Sequence, residues 1–134
     1  MHTSYKKLGK FYDAMHQRRD YTKESSFVLK QIKRINPQAQ SVLDVGCGTG
    51  THLLLLSKNF ESLAGVDINE EILAVAKSKF PSALYQESSM SGFAFDKQFD
   101  AIISLYSVFN YNLTMDEAEK TLKICTNTLI KAEL

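Results

Sequence analysis

Ser41-Val-Leu-Asp-Val-Gly-Cys-Gly-Thr-Gly-Thr-His52 decides how this chain folds. Its first five residues are mostly apolar and β-branched at Val42 and Val45, which reads as a buried strand. Gly46, Gly48 and Gly50 follow at every second position. Glycine reaches positive φ without steric cost and lets a ligand come close to the main chain. From Thr51 the chain reads as a helix, whose first N–H groups and positive dipole end face the turn. Asp44 stands two residues ahead of the first glycine.

A glycine turn between strand and helix suits two kinds of ligand. Dinucleotide sites use G-x-G-x-x-G and bring a pyrophosphate to the helix N-terminus. Here the pattern is G-x-G-x-G with an acid in front. A carboxylate there repels a phosphate and suits a ligand that carries an ammonium group. The motif resembles the glycine-rich motif of class I S-adenosylmethionine-dependent methyltransferases, whose ligand has an α-amino group and no phosphate.

Size and composition agree with a single globular domain. A chain of 134 residues is expected to be one domain and to bury about two-thirds of its unfolded surface. No apolar run approaches the length of a membrane span, and the first residues lack the apolar core of a signal peptide. Cys47 and Cys125 are far apart and form no metal-type cluster, which points to a reducing, cytoplasmic setting. Residues 1–36 carry nine Lys or Arg against three Asp or Glu, and residues 37–134 carry seven against twelve. The signs are interspersed and no basic run is sustained, so this asymmetry reads first as solvated helix faces and only then as an anion-attracting surface.

The rest of the chain alternates helix and strand. Residues 5–16 read as a helix with Leu8, Tyr12 and Met15 on one side. Residues 18–21 read as a connector. A second helix, 23–35, places Val28, Ile32 and Ile35 on one face and ends at Asn36-Pro37. Strands are expected at 41–45, 63–67, 83–87 and 99–105. Helix 51–59 carries four leucines, Leu53 to Leu56, and is expected to be buried nearly all round. Asn69 caps the next helix, with Glu70 and Glu71 in its first turn. Thr114-Met-Asp-Glu117 is a capping box that opens a last helix, with Ala118, Leu122, Cys125 and Leu129 on one face. Such alternation predicts an α/β fold with a parallel sheet and helices on both faces. It divides into an amino-terminal helical segment, 1–36, and a cofactor-binding α/β core, 37–134.

In an open parallel sheet, ligands sit beyond the carboxyl ends of the strands. The first strand supplies Asp44, Gly46, Gly48, Thr49 and Gly50. The second supplies Asp67 and Ile68. Asp67 lies where an acid on a ribose diol is expected, and a carboxylate can accept from two adjacent hydroxyls. Capping of the following helix is the competing role for Asp67. After the third strand come Ser88, Ser89 and Met90, where a serine hydroxyl and the Met90 N–H could meet adenine. After the fourth come Ser104 and Tyr106, with Phe109 and Tyr111 beyond. Their aromatic faces suit a sulfonium.

Further pieces extend the resemblance. Tyr12-Asp13, Arg19-Asp20-Tyr21, Leu43 to His52, Gly65-Val-Asp67, Met90 and Phe99-Asp-Ala-Ile-Ile-Ser104 occur in order. Together they resemble the amino-terminal part of the class I methyltransferases that include amino-sugar N,N-dimethyltransferases. The resemblance implies a Rossmann-like methyltransferase fold, S-adenosyl-L-methionine as cofactor and S-adenosyl-L-homocysteine as product. It implies methyl transfer to a small molecule such as an amine or amino sugar, with no metal. It also places Tyr12 and Arg18 or Arg19 at the cofactor site.

Two departures stand out. Ser89 occupies a position where the family usually has an aspartate. The family's sheet runs 3-2-1-4-5-7-6, and only 3-2-1-4 is legible here, so the chain reads as truncated, lacking strands 5–7. From this follow three expectations: weak or absent turnover by the isolated chain, a non-catalytic cofactor-binding or assembly module as the alternative, and a homo-oligomer formed at the unpaired edge of the fourth strand. No residue is assigned as catalytic. His52 and Tyr106 are the candidates for a base, and His52 also suits a packing role at a helix start. The N/D-P-P-Y/F sequence of base-directed enzymes is missing after the fourth strand, so a nucleic acid is not the expected partner. Nor is a membrane.

Overall fold

The computed structural model describes residues 20–105 and 114–130. In chain order these are α1 (Tyr21–Ile35), β1 (Ser41–Val45), α2 (Thr51–Leu56), β2 (Ser62–Asp67), α3 (Glu70–Lys79), β3 (Leu84–Glu87), β4 (Ala101–Ile103) and α4 (Met115–Thr128). The helix expected at 5–16 lies outside the described residues, as do Tyr12, Arg18, Arg19, Tyr106, Phe109 and Tyr111.

The four strands form a parallel sheet, as the alternation predicts, in the order β3-β2-β1-β4 that the resemblance implies. Register brings the carboxyl ends together: Asp44 pairs with Gly65 on one side and Ile103 on the other, and Asp67 pairs with Glu87. Successive side chains of a strand point to opposite faces. Val42 and Leu63 therefore join Val28, Ile32, Leu53, Leu56 and Leu73 in a core under α1, α2 and α3. Leu43, Val45, Ala64 and Val66 join Phe93 and Phe99 in a second core, on which Ile124 and Cys125 of α4 pack. Both faces of the sheet are thus covered, which is why all five β1 residues are buried.

Local signals place the helix ends. Asp20 caps α1 by accepting from the Lys23 N–H at 2.9 Å, so the helix starts two residues earlier than its apolar pattern suggests. Asn69 caps α3 through the Ile72 N–H at 3.1 Å, and Thr114 caps α4 through the Glu117 N–H at 3.1 Å. Asn36 ends α1 ahead of Pro37.

Several faces differ from the expectation. Ile35 is 75% exposed, because the last turn of α1 runs past the core that Val28 and Ile32 enter. Leu54 and Leu55 are partly exposed while Leu53 and Leu56 are buried, so α2 is two-sided and ends at Leu56. On α4 the inner face is Thr121, Ile124 and Cys125, and Leu122 is 58% exposed. β4 is shorter than expected.

The expectation that nothing pairs with the outer edge of the fourth strand is also corrected, at Phe99. Leu129, just past α4, forms a parallel bridge with Phe99, through Phe99 N–H to Thr128 O at 2.8 Å and Ile130 N–H to Phe99 O at 2.9 Å. This isolated bridge lies two residues before β4; among the described residues β4 itself pairs with β1 alone. The amino end of β4 is also fastened to β1. The Asp100 carboxylate accepts from the Gln40 N–H, the Ser41 N–H and the Ser41 hydroxyl, while Ser41 Oγ accepts from the Asp100 N–H at 2.9 Å.

Candidate functional site

Three glycines with positive φ shape the turn after β1: Gly46 at 80°, Gly48 at 59° and Gly50 at 78°. Side chains rarely adopt this conformation, so the glycine spacing is a requirement of the backbone. The turn is tied to β2. The N–H groups of Gly46 and Cys47 both donate to Val66 O, at 2.7 and 2.9 Å. The Gly48 N–H donates to Asp67 Oδ2 at 3.0 Å. Gly50 then serves as the N-cap of α2 without a side-chain cap.

Asp67 uses its other oxygen to accept from the Asn69 N–H at 3.0 Å. It therefore joins the glycine turn to the start of α3, while Asn69 performs the helix capping. A carboxylate has about four acceptor positions, so these backbone bonds leave capacity for a hydroxyl. Burial pushes the Asp67 carboxyl up from its ordinary value, against the lowering effect of the Asn69, Gly48 and Ile68 N–H groups.

Asp44 is 1% exposed, and its Oδ1 has no hydrogen-bond partner among the described residues. Burial, with a smaller contribution from the charge on Asp67, pushes its carboxyl up to about 7. A buried carboxyl oxygen without a partner is costly, and a cationic group beside it would lower that cost. The residues present thus fit a ligand with an ammonium near β1 and a hydroxyl near β2.

The remaining candidates divide. Ile68 is 44% exposed beside Asp67. Ser88 donates its hydroxyl to Ser89 O at 2.9 Å, and Ser89 Oγ lies 3.3 Å from Ser91 Oγ. Met90 packs its side chain on the second core, leaving its backbone as the group for a ligand. Ser104 is exposed just past β4. Thr49 is buried, and its hydroxyl is engaged by Thr51 Oγ1 and by Lys79 Nζ, at 3.4 and 3.2 Å. Its side chain serves the turn from within. His52 is likewise buried: Nε2 lies 2.8 Å from Glu24 Oε2 of α1, and its ring meets Tyr21 edge-on at 5.0 Å. It joins α1 to α2, the packing role foreseen for it. Between α1 and the end of β4 lies a cavity of about 390 Å³ lined by Lys23, Glu24, Phe27, Val28 and Leu105.

Sequence reading missed the support under the turn. Gly50 rests on Ala76 and on the Tyr85 hydroxyl; a Cβ there would lie 3.2 and 3.4 Å from them. Tyr85 donates to Phe80 O at 2.7 Å, and burial pushes its phenol up to about 12. No local pattern announces contacts between residues so far apart in the chain.

The profile of a methyltransferase domain matches residues 42–131. The chain belongs to the methyltransferase-domain family. This methyltransferase domain is 35% identical over 99 residues to dTDP-3-amino-3,4,6-trideoxy-alpha-D-glucopyranose N,N-dimethyltransferase of Streptomyces venezuelae, covering 74% of the chain and 42% of the relative. It is 30% identical over 118 residues to dTDP-3-amino-3,6-dideoxy-alpha-D-glucopyranose N,N-dimethyltransferase of Streptomyces fradiae, covering 87% and 46%. Among solved structures it superposes on Streptomyces venezuelae DesVI with a TM-score of 0.85 at 31% identity, covering 90% of the chain and 52% of that protein. The SAM-bound amino pentose methyltransferase CalS10 of Micromonospora echinaspora gives 0.84 at 27% identity, covering 89% and 51%. The methyltransferase domain described here thus spans about half the length of these relatives. Among the described residues no helix is long and apolar enough to cross a membrane, and no cluster of His, Cys, Asp and Glu could hold a metal ion.

Proposed function

We propose that this chain binds S-adenosylmethionine at the carboxyl ends of β1 and β2 and serves methyl transfer to a small-molecule amine, such as an amino sugar. The observation that carries the reading is the buried Asp44 carboxyl, with an unpartnered oxygen, beside a glycine turn held by Asp67. Asp44 would receive the α-amino group, and the unused acceptor capacity of Asp67 a ribose hydroxyl. Gly46, Gly48 and Gly50 let the ligand approach the main chain. Ser88 or Ser89 and the Met90 N–H would meet adenine beside Ile68, and Ser104 would face the reacting end. Tyr12, Arg19 and Tyr106 complete the proposed set from outside the described residues. When bound, the cofactor supplies an activated methyl group; the protein's work is to align it with the acceptor.

A second reading is a cofactor-binding unit with no turnover of its own. The coverage of about half of each relative favours it. Self-association through the part of the β4 edge beyond Phe99 belongs to either reading.

Calorimetric titration with S-adenosylhomocysteine tests the site. Asp67→Ala is expected to weaken binding by about 1.5–3 kcal/mol, the range for hydrogen bonds to a charged group. Unchanged affinity would remove the ribose assignment, and preference for a nicotinamide dinucleotide would remove the cofactor itself.

A further inference from the structure

Lys79 is the last residue of α3, yet its ammonium does not simply face solvent beyond the helix. Nζ donates to Thr51 Oγ1 at 2.9 Å and to Thr49 Oγ1 at 3.2 Å, and the two hydroxyls lie 3.4 Å apart. One threonine sits inside the glycine turn and the other opens α2. The ammonium thus spans the joint between turn and helix from the side of α3. The same turn is also held by the Asp67 carboxylate at the Gly48 N–H. Beneath it, Gly50 rests on Ala76 of α3.

The physical need for such a strap comes from the glycines. Three positive-φ glycines in five residues give the turn its shape and also make it soft, because glycine loses more conformational freedom on ordering than any other residue. A ligand that met a loose turn would have to order it on binding, and affinity would fall by that amount. Backbone bonds to Val66 O fix only the beginning of the turn, at Gly46 and Cys47. Its far end, Thr49 to Thr51, is where Lys79 acts.

We propose that Lys79 is a positioning residue for the cofactor site: it pre-orders the far half of the glycine turn through the Thr49 and Thr51 hydroxyls, without touching the ligand. The inference rests on the cofactor reading given above. It is separate from the preference of any cation for a helix C-terminus, because that preference would be met equally by exposed Lys77 on the same last turn.

The test compares Lys79→Met, Lys79→Arg, Thr51→Val and Lys77→Met in the full chain. Calorimetry with S-adenosylhomocysteine is expected to show about tenfold weaker binding for Lys79→Met, the fold-change of one charge-assisted hydrogen bond. Thr51→Val should show a loss in the same direction, Lys79→Arg should recover most of the affinity, and Lys77→Met should bind like the parent. Hydrogen exchange without ligand is the second arm. The Gly50 amide, bonded to Cys47 O at 3.1 Å, should exchange faster in Lys79→Met while amides of β1 keep their protection. Parent-like affinity in Lys79→Met, or equal losses in Lys79→Met and Lys77→Met, would overturn the proposal. Unchanged Gly50 exchange in Lys79→Met would also overturn it. If the parent itself fails to bind, the cofactor reading falls, and the exchange arm still decides whether Lys79 orders the turn.

Discussion

The substitution Asp44→Asn keeps the shape of a buried side chain and removes its charge. In the folded chain burial, helped by the charge on Asp67, pushes the Asp44 carboxyl from an ordinary 3.8 to about 7. Between those values the folded state holds the proton more tightly than the unfolded chain does. The resulting stability is complete below the unfolded value, falls as pH rises toward 7, and is gone once pH has passed through it. The loss amounts to about 4 kcal/mol, at ~1.4 kcal/mol per tenfold change in proton affinity. The asparagine does not titrate, but its NH2 carries two donors where the protonated carboxyl has one, in a buried place where the parent's Oδ1 already finds no partner among the described residues; an unpaired buried donor costs about 1–3 kcal/mol. Asp44→Asn is therefore expected to be less stable than the parent at about pH 4 and more stable at about pH 8, by roughly 1–3 kcal/mol each way. Urea unfolding of both proteins at about pH 4, 6 and 8 measures this through the midpoints and slopes. A stability difference that stays constant across the three would refute the reasoning. The same variant should lose S-adenosylhomocysteine binding at pH 8, so it would gain stability in the condition where it loses its ligand.

Other outcomes follow from the same geometry. Gly65→Ala would bring a Cβ within 2.6 Å of Cys47 Sγ and 3.1 Å of Leu53 Cδ1; a loss of about 1–3 kcal/mol is expected in denaturant titration, and Cys47→Ala in the same chain should return part of it. Asp100→Ala leaves the Gln40 and Ser41 N–H groups without their carboxylate and should cost about 1–3 kcal/mol; a smaller change would mean that solvent replaces the clasp. A radiolabelled methyl-transfer assay on amino sugars should find very low turnover for this chain alone, and robust turnover would show that it holds its own acceptor site. Light scattering at micromolar concentration should find a dimer, and a clean monomer would end the assignment of the β4 edge as a contact surface.

What could be read from the sequence was what the backbone itself dictates. Positive φ at Gly46, Gly48 and Gly50 leaves a regular spacing, and a strand end must carry Asp44 or Asp67 at a fixed offset from a turn. Caps are equally local, which is why Asn69 and Thr114 were legible. Helix faces were legible only where a neighbour covers them. Ile35 and Leu122 fit the apolar period and still face outward, since α1 outruns the core and α4 lies with Thr121 and Ile124 inward. The contacts of Lys79 with Thr49 and Thr51, of Glu24 with His52 and of Phe99 with Leu129 join residues some thirty positions apart. Only the folded chain brings them together, so no window of sequence contains them.

Cys47 has a chemical consequence for anyone handling the protein. Its thiol lies inside the glycine turn, almost wholly buried, and burial with the charges of Asp44 and Asp67 raises its pKa well above the ordinary value. Thiolate is the reactive form, so an alkylating reagent meets neither access nor a nucleophile while the turn is closed. The other cysteine, Cys125, is half-buried on α4; burial raises its thiol as well, but without neighbouring carboxylates and with part of its surface open to a reagent. Reagent in excess should label Cys125 first and Cys47 only during excursions that open the turn. The slow labelling rate then becomes a clock for those openings, read by mass spectrometry without any added probe, and a ligand seated on the turn should slow it in proportion to its occupancy.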